Sequence, residues 1–294
     1  MKEFDIDVVI VTQHRYSKLT RCAANIITNR LKPKNLIIID SSSDFNRHAK
    51  NKISILSRKY KVGLKYIRVP HKGVGYSRNV GLSNVKSSYF AYIDDDEYVP
   101  KFWLEKVAKI FNVNKNIDAL GGPKIPSDIG NYWHRVWIAL IEKEFNYIGI
   151  IDTLPSGNSI YSTSFIKKHN LRFDQRFKQC SEDQAFSYEL RRNKANIFFH
   201  KSIWVKHDVR RSIIPFIRQW FYYGVNKHLY HRLYLGSGDI FELSKVSLTL
   251  RNFIKTFPYR INMDEISVLP GAILLNITFV IGFLYSFFGS DTTS

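Results

Sequence analysis

Cysteine is scarce: only Cys22 and Cys180 occur in 294 residues, and they stand far apart. That excludes a disulfide framework and the paired spacing of a structural zinc site, and both read as ordinary thiols in a reducing compartment. Acidic residues are also in short supply. Against 44 Lys and Arg there are 25 Asp and Glu, a formal charge of +19, which favours an anionic partner such as nucleic acid, a phosphorylated small molecule or an acidic membrane surface. No signal peptide is legible, because MKEFDIDVVIVT carries acids ahead of an apolar run too brief for one; it reads as a first strand, and export is not expected. No internal repeat or low-complexity linker breaks the chain. With 45% hydrophobic residues it can fill a sizeable core, and the first two hundred residues read as one domain.

Short apolar runs rich in Val, Ile and Tyr end at residues 7–12 (DVVIVT), 36–40 (LIIID), 64–69 (LKYIRV) and 89–94 (YFAYID), and each reads as a buried strand. Polar-apolar mixtures of helical length lie between them at 17–31, 45–61 and 76–85, with Ser17 as N-cap and Pro33 as a stop. Alternating strands and helices predict an α/β fold with a mostly parallel sheet covered by helices. Thr12, Asp40 and Asp94 then fall at the carboxyl ends of their strands, the edge where open α/β sheets bind ligands.

The scarce acids are not evenly spread: Asp94, Asp95, Asp96 and Glu97 follow one another directly. Asp94 and Asp96, one residue apart at a strand end, are suited to a hard divalent cation shared with phosphate oxygens. Acids after a strand also serve turns and helix caps, and Pro100, Phe102, Trp103, Val107 and Ile110 look like the start of an amphipathic helix, so the cluster by itself supports either reading. Gly73-Val74-Gly75 is read as loop geometry, with Arg78 and Asn79 on the helix after it.

The C-terminal stretch differs from the rest. Residues 266–289 contain no charged residue, and their length matches the roughly 20 residues that cross a bilayer core. Pro270, Gly271, Asn276 and Gly282 interrupt it, which keeps a membrane hairpin or a helix buried against a partner open. Ahead of it, residues 201–260 hold eleven Lys/Arg and three Asp/Glu, placing the main domain on the cytoplasmic face of a membrane. Within that stretch, residues 218–232 mix Trp220, Tyr222, Tyr223 and Tyr230 with basic side chains, as an interfacial helix, a packed core helix or a base-stacking surface would.

Taken in order, VVIVTQHR, IIIDSSSD, HKGVGYSRNVGL, YIDDDEYVP, GNSIYS, SEDQAFSYELRR and VKHDVRRS resemble the successive motifs of family-2 inverting glycosyltransferases of the GT-A fold, over roughly residues 6–226. The chain departs from that family at Thr12-Gln13-His14-Arg15, where another opening is usual, and at Asp95, where a small residue is usual. The resemblance implies a catalytic domain at 1–235, its nucleotide-binding half about 1–120 and its acceptor half about 121–235, and the uncharged run makes 236–294 a membrane-associating segment. It implies that Thr12, Arg15, Asp40, Arg78, Asp94 and Asp95 bind the donor, with Asp40 accepting from a uridine-type base. Asp96 and His207 would hold Mn2+ or Mg2+, with His200 the competing histidine. Gly157, Asn158 and Glu182 would serve the acceptor, and Asp183 would be the catalytic base.

The implied reaction moves a sugar from a nucleoside diphosphate donor, of uridine type, to a saccharide or lipid-linked hydroxyl. A nucleic-acid-binding α/β protein is the alternative, but carboxylates gathered at strand ends repel phosphate unless a metal intervenes. A nucleotidyltransferase usually carries a glycine-rich loop after its first strand, and VTQHRYSK has no glycine.

Overall fold

The computed structural model describes residues 4–141, 146–235 and 267–289. Along the chain run β1 (Ile6–Thr12), α1 (Tyr16–Ile27), β2 (Asn35–Asp40), α2 (Arg47–Lys59), β3 (Gly63–Arg68), α3 (Val74–Ser83), β4 (Tyr89–Tyr92), β5 (Glu97–Tyr98), α4 (Trp103–Val113), β6 (Ala119–Gly121) and β7 (Lys124–Pro126). There follow α5 (Tyr132–Ile141), β8 (Ile148–Ile150), β9 (Ser159–Ser162), α6 (Thr163–Lys168), α7 (Glu182–Arg192), β10 (Ile197–His200), β11 (Val205–His207), α8 (Ile213–Tyr230) and α9 (Leu269–Gly289). They fall into two compact units, Met1–Ile125 with Tyr147–Asp208, and Pro126–Asn146 with Val209–Ser294.

In the first unit, an eight-stranded sheet runs β3-β2-β1-β4-β9-β6-β10-β8. Its β3-β2-β1-β4 half is parallel throughout. The strands there are apolar on both faces because helices cover both: Val8 and Ile10 pack with α1 and α4 in one core, while Val9, Ile37 and Ile39 pack with α3 and α7 in the other. In the other half β9 runs antiparallel to both β4 and β6, and β8 runs antiparallel to β10. A second sheet, β5-β11-β7, is small, but it carries Glu97, His207 and Lys124.

Several boundaries differ from expectation for local reasons. Helix α1 starts at Tyr16 with Arg15 in the cap position, so Ser17 lies in its first turn, and it ends at Ile27, well before Pro33. The burial of Leu19, Cys22, Ala23, Ile26 and Ile27 sets those limits, since the next residues leave the apolar stripe. Helix α2 is capped by Asn46, whose side chain accepts from Ala49 N–H at 2.9 Å. Strand β4 stops at Tyr92 because the acids beyond it fold into a turn, closed by Glu97 N–H donating to Asp94 O at 3.0 Å. His200 and His207 lie on two strands: β10 belongs to the large sheet and β11 to the small one, with a 3-10 turn over Lys201–Ile203 between them.

In the second unit α9 packs on α8 and α5. A Cβ on Gly224 would overlap Phe279 O, and one on Gly282 would overlap Phe221 O, so two glycines let the α8 and α9 backbones approach closely. The residues that interrupt the apolar stretch are accommodated. Pro270 sits in the first turn, where no helical N–H is needed, and Asn276 Nδ2 and Thr278 Oγ1 donate to Ala272 O and Leu274 O at 2.6 and 2.8 Å. Ile273, Ile277, Ile281, Tyr285 and Phe288 are exposed at spacings that place them on one face. Among the described residues α9 alone is long and apolar enough, by length and composition, to cross a membrane. Residues 236–266 and 290–294 of the expected C-terminal segment, with four of the eleven Lys and Arg of the 201–260 stretch, lie outside the described residues.

Candidate active site

Parallel pairing places Thr12 opposite Asp40 at the carboxyl edge of the sheet, and the turn after β4 adds Asp94, Asp95 and Asp96 there. Arg15, at the head of α1, spans the last two. Its Nη2 lies 2.8 Å from Asp95 Oδ1 and its Nη1 lies 2.7 Å from Asp96 Oδ2. Thr12 Oγ1 donates to Asp95 Oδ2 at 2.6 Å. Burial, then the neighbouring Asp96 and Asp94 charges, pushes Asp95 up to about 7 against the pull of Arg15. Burial also works against ionised Asp96, but His207 and Arg15 outweigh it and hold that carboxyl down at about 2.

His207 Nε2 is 3.5 Å from Asp96 Oδ1, whereas His200 accepts from Ser202 N–H at 3.2 Å and closes the 3-10 turn. The strand break thus separates the two candidate histidines. The Asp96–His207 spacing also tests whether the residues fit a cation. Two adjacent ligands, each about 2.1 Å from an octahedral cation, lie about 3 Å apart, close to the spacing here. No group of three or more His, Cys, Asp or Glu side chains placed to hold a metal exists among the described residues. The pair therefore fits a cation that draws its remaining ligands from water and phosphate, as Mg2+ commonly does.

Arg78 joins this edge to the start of α7. Its side chain is almost fully buried. Nη2 lies 3.1 Å from Asp94 Oδ1 and Nε lies 3.2 Å from Glu182 Oε1, so residues 16 and 104 positions away in sequence meet on one guanidinium. Glu182 also accepts from Ser156 Oγ at 3.1 Å. Burial and the Asp183 charge push Glu182 up to about 7 in spite of Arg78. Asp183, less buried than Glu182, accepts from the backbone N–H groups of Ser156 at 3.3 Å and Gln184 at 2.8 Å. Phe186 and Leu190 anchor α7 in the core.

Three expected residues are engaged otherwise than as open contacts. Asp40 is fully buried and accepts from Tyr66 Oη at 2.8 Å, Tyr16 Oη at 3.4 Å, and Ser42 N–H and Oγ at 3.0 and 2.6 Å. Asn158 is equally buried; it accepts from Trp103 Nε1 at 3.0 Å and donates to Ile203 O at 2.7 Å, holding its loop to β11's approach. Gly157 faces the acids directly, and a Cβ there would overlap Asp94, Glu97 and Lys124. Lys124 is the residue that sequence reasoning missed. Its Nζ lies 2.8 Å from Glu97 Oε1 and 3.1 Å from Asp94 Oδ2. A lone lysine two residues past Gly121-Gly122 carries no signal in a basic chain.

Residues 7–169 match Glycosyl transferase family 2. Poly(ribitol-phosphate) β-N-acetylglucosaminyltransferase TarP of Staphylococcus aureus is 25% identical over 202 residues, 65% of this chain and 58% of that protein. Teichoic acid poly(glycerol phosphate) polymerase of Staphylococcus epidermidis is 27% identical over 57% of this chain and 23% of its own length. The chain thus spans less than two thirds of these curated relatives. Among solved structures, S. aureus TarS 1-349 in complex with UDP-GlcNAc superposes with a TM-score of 0.60 at 15% identity, covering 98% of this chain and 92% of that one. Mannosyltransferase PcManGT from Pyrobaculum calidifontis, in complex with GDP-Man and Mn2+, superposes at 0.63 with 9% identity, covering 97% and 87%. At those identities the superpositions show the α/β, GT-A-like fold alone. By the match over residues 7–169, the chain belongs to glycosyl transferase family 2.

Proposed function

We propose that residues 1–235 form an inverting glycosyltransferase that moves a sugar from a nucleoside diphosphate, of uridine type, to a hydroxyl of an anionic saccharide or lipid-linked acceptor. The observation that carries this reading is the Arg78 bridge, which brings Asp94 of the strand-end cluster and Glu182 of the α7 entrance to one guanidinium. Donor-side and acceptor-side acids thereby share a site. The relatives named for UDP-GlcNAc and for polyol-phosphate polymers support a uridine donor and an acceptor rich in phosphate, which the charge of +19 suits.

Inversion needs a carboxylate to take the acceptor hydroxyl's proton on the face opposite the leaving group. Asp183 is the carboxylate proposed for this. Backbone N–H groups fix both of its oxygens, while Glu182 beside it is occupied by Arg78 and Ser156. Asp96 and His207 would hold Mn2+ or Mg2+, which supplies positive charge to the departing diphosphate. Thr12 and Arg15 orient Asp95 and Asp96, Arg78 orients Asp94, and Asp40 lies at the uridine end. Gly157 and Asn158 shape the acceptor side, where the loop's fixed backbone leaves Gly157 against the acids. The exposed stripe of α9 and the basic residues of 201–260 would keep this chemistry at the cytoplasmic face of a membrane.

The test is hydrolysis of a panel of nucleotide sugars by the purified full chain with Mn2+ or Mg2+. One donor should be hydrolysed by wild type, with activity lost in Asp96→Ala. Asp183→Asn should abolish transfer while leaving donor affinity within about twofold, the signature of a group that acts in the transition state. No hydrolysis of any donor, or Asp96→Ala active at the wild-type rate, would refute the reading.

A further inference from the structure

We propose that Lys124 is a positioning residue of the donor site, fixing the Asp94 carboxylate; the inference rests on the functional reading above. Three elements tether Asp94. Its N–H donates to Glu97 Oε2 at 3.0 Å, its Oδ1 takes Arg78 Nη2 at 3.1 Å, and its Oδ2 takes Lys124 Nζ at 3.1 Å. Lys124 is held in turn by Glu97 Oε1 at 2.8 Å. Exposure rises along this chain of contacts, from Glu97 at 0% through Lys124 at 15% to Asp94 at 24%. A buried acid thus anchors the lysine, and the lysine in turn sets a carboxylate more exposed than either. Gly157 closes the fourth side, and the overlap that any Cβ would make with all three side chains explains why a glycine stands there.

Stability alone does not account for this arrangement. Burying a carboxylate and an ammonium costs about as much as their attraction returns, and apolar residues of similar volume often do as well. What the ion pairs add is direction, because each fixes a particular oxygen of Asp94, and site residues work only when held within about 0.5 Å of their productive place. The small sheet serves the same end. His207 on β11 is directly opposite Glu97 on β5, and β7 with Lys124 flanks β11, so one sheet carries the group that orients Asp94 and the histidine beside Asp96.

A double-mutant cycle separates positioning from a general structural role. Hydrolysis of UDP-GlcNAc and GDP-Man with Mn2+, together with thermal unfolding, is measured for wild type, Lys124→Gln, Asp94→Asn and the double variant. Lys124→Gln should lower kcat/KM by about 10–100-fold, the usual cost of losing an outer partner of a site group. The double variant should fall within about twofold of Asp94→Asn, since Lys124 acts through Asp94. Losses that multiply, or Lys124→Gln hydrolysing as wild type does, would overturn the assignment and leave the glycosyltransferase reading standing. If Lys124→Gln does not fold, Gly157→Ala presses on the same side chains from the other side and enters the same cycle with the same expectation. A wild-type chain that hydrolyses neither these donors nor any other in the panel would overturn the functional reading, and this inference with it.

Discussion

Replacing Arg78 by Met tests the bridge between the two acidic groups. The methionine keeps the apolar contact that the guanidinium now makes, 5.2 Å from the Tyr92 ring and 5.8 Å from the Phe173 ring, so the loss is mainly one of charge. Arg78 and Glu182 are 4% and 5% exposed. Breaking a pair so buried costs about 3–5 kcal/mol where the acid is fully ionised, because the remaining ion has no water to return to, and less where the acid takes up a proton instead. Asp94 keeps Lys124, so the cost falls on Glu182, and its titration gives the effect a pH signature. In the wild type Glu182 titrates at about 7 against an ordinary value of 4.5. Between those values the folded protein holds a proton that the unfolded chain has released, so stability falls as pH rises from 4.5 to 7 and then levels off. Without Arg78 the folded-state value lies higher still, and the fall continues above pH 7 at about 1.4 kcal/mol per pH unit. The gap between wild type and Arg78→Met in urea unfolding should therefore widen by about 2 kcal/mol from pH 7 to about pH 8.5. Adding Glu182→Gln should shrink the gap and remove its pH dependence. A gap under about 1 kcal/mol at pH 8.5, or one that does not widen, would refute the account of Arg78 as the counter-ion of a buried acid.

The two histidines offer a cleaner contrast. His207→Ala should reduce metal-dependent donor hydrolysis by about tenfold or more, whereas His200→Ala, at the 3-10 turn, should leave it unchanged, and the reverse order would move the proposed cation site. Ile281→Asp places a charge in the exposed stripe of α9 and should lower the fraction of protein that floats with anionic lipid vesicles. Equal flotation would show that this face does not meet lipid.

Fold was readable wherever burial was two-sided. LIIID and DVVIVT announce parallel strands because no polar residue interrupts them, and their register then delivers Thr12 and Asp40 to one edge without further information. The helix limits were less legible. Ser17 looks like a cap and Pro33 like a stop, but the turn at Arg15 and the end of the apolar stripe at Ile27 decide the helix, and both depend on what α1 packs against. Asp96 could be singled out as a strand-end acid, whereas Asp183 stands out only through the resemblance of SEDQAFSYELRR to the family motif. Lys124 could not. Its role comes from β7 lying beside β11 in the small sheet, a pairing between segments some eighty residues apart that leaves no local pattern. Likewise His207 and His200 share one apolar run, and only the break at Lys201–Ile203 sends them to different sheets.

The distribution of charge explains why so many acids are tolerated at one edge of a basic protein. Each has a cationic partner: Arg15 for Asp95 and Asp96, Lys124 for Glu97, Arg78 for Glu182, and both Arg78 and Lys124 for Asp94. The cations are shared, however, so the acids outnumber them, and burial, with that surplus of charge added to it, raises Asp95 and Glu182. Such an edge repels a free diphosphate at close range even though the overall charge of +19 draws it in from afar. A divalent cation held, as proposed, by Asp96 and His207 would reverse the local term by adding positive charge there. Asp96→Ala is a sharp test for this reason: it removes one acid from an overloaded cluster, so if repulsion alone governed donor binding the variant would bind donor better, whereas a cation held by Asp96 makes it bind worse.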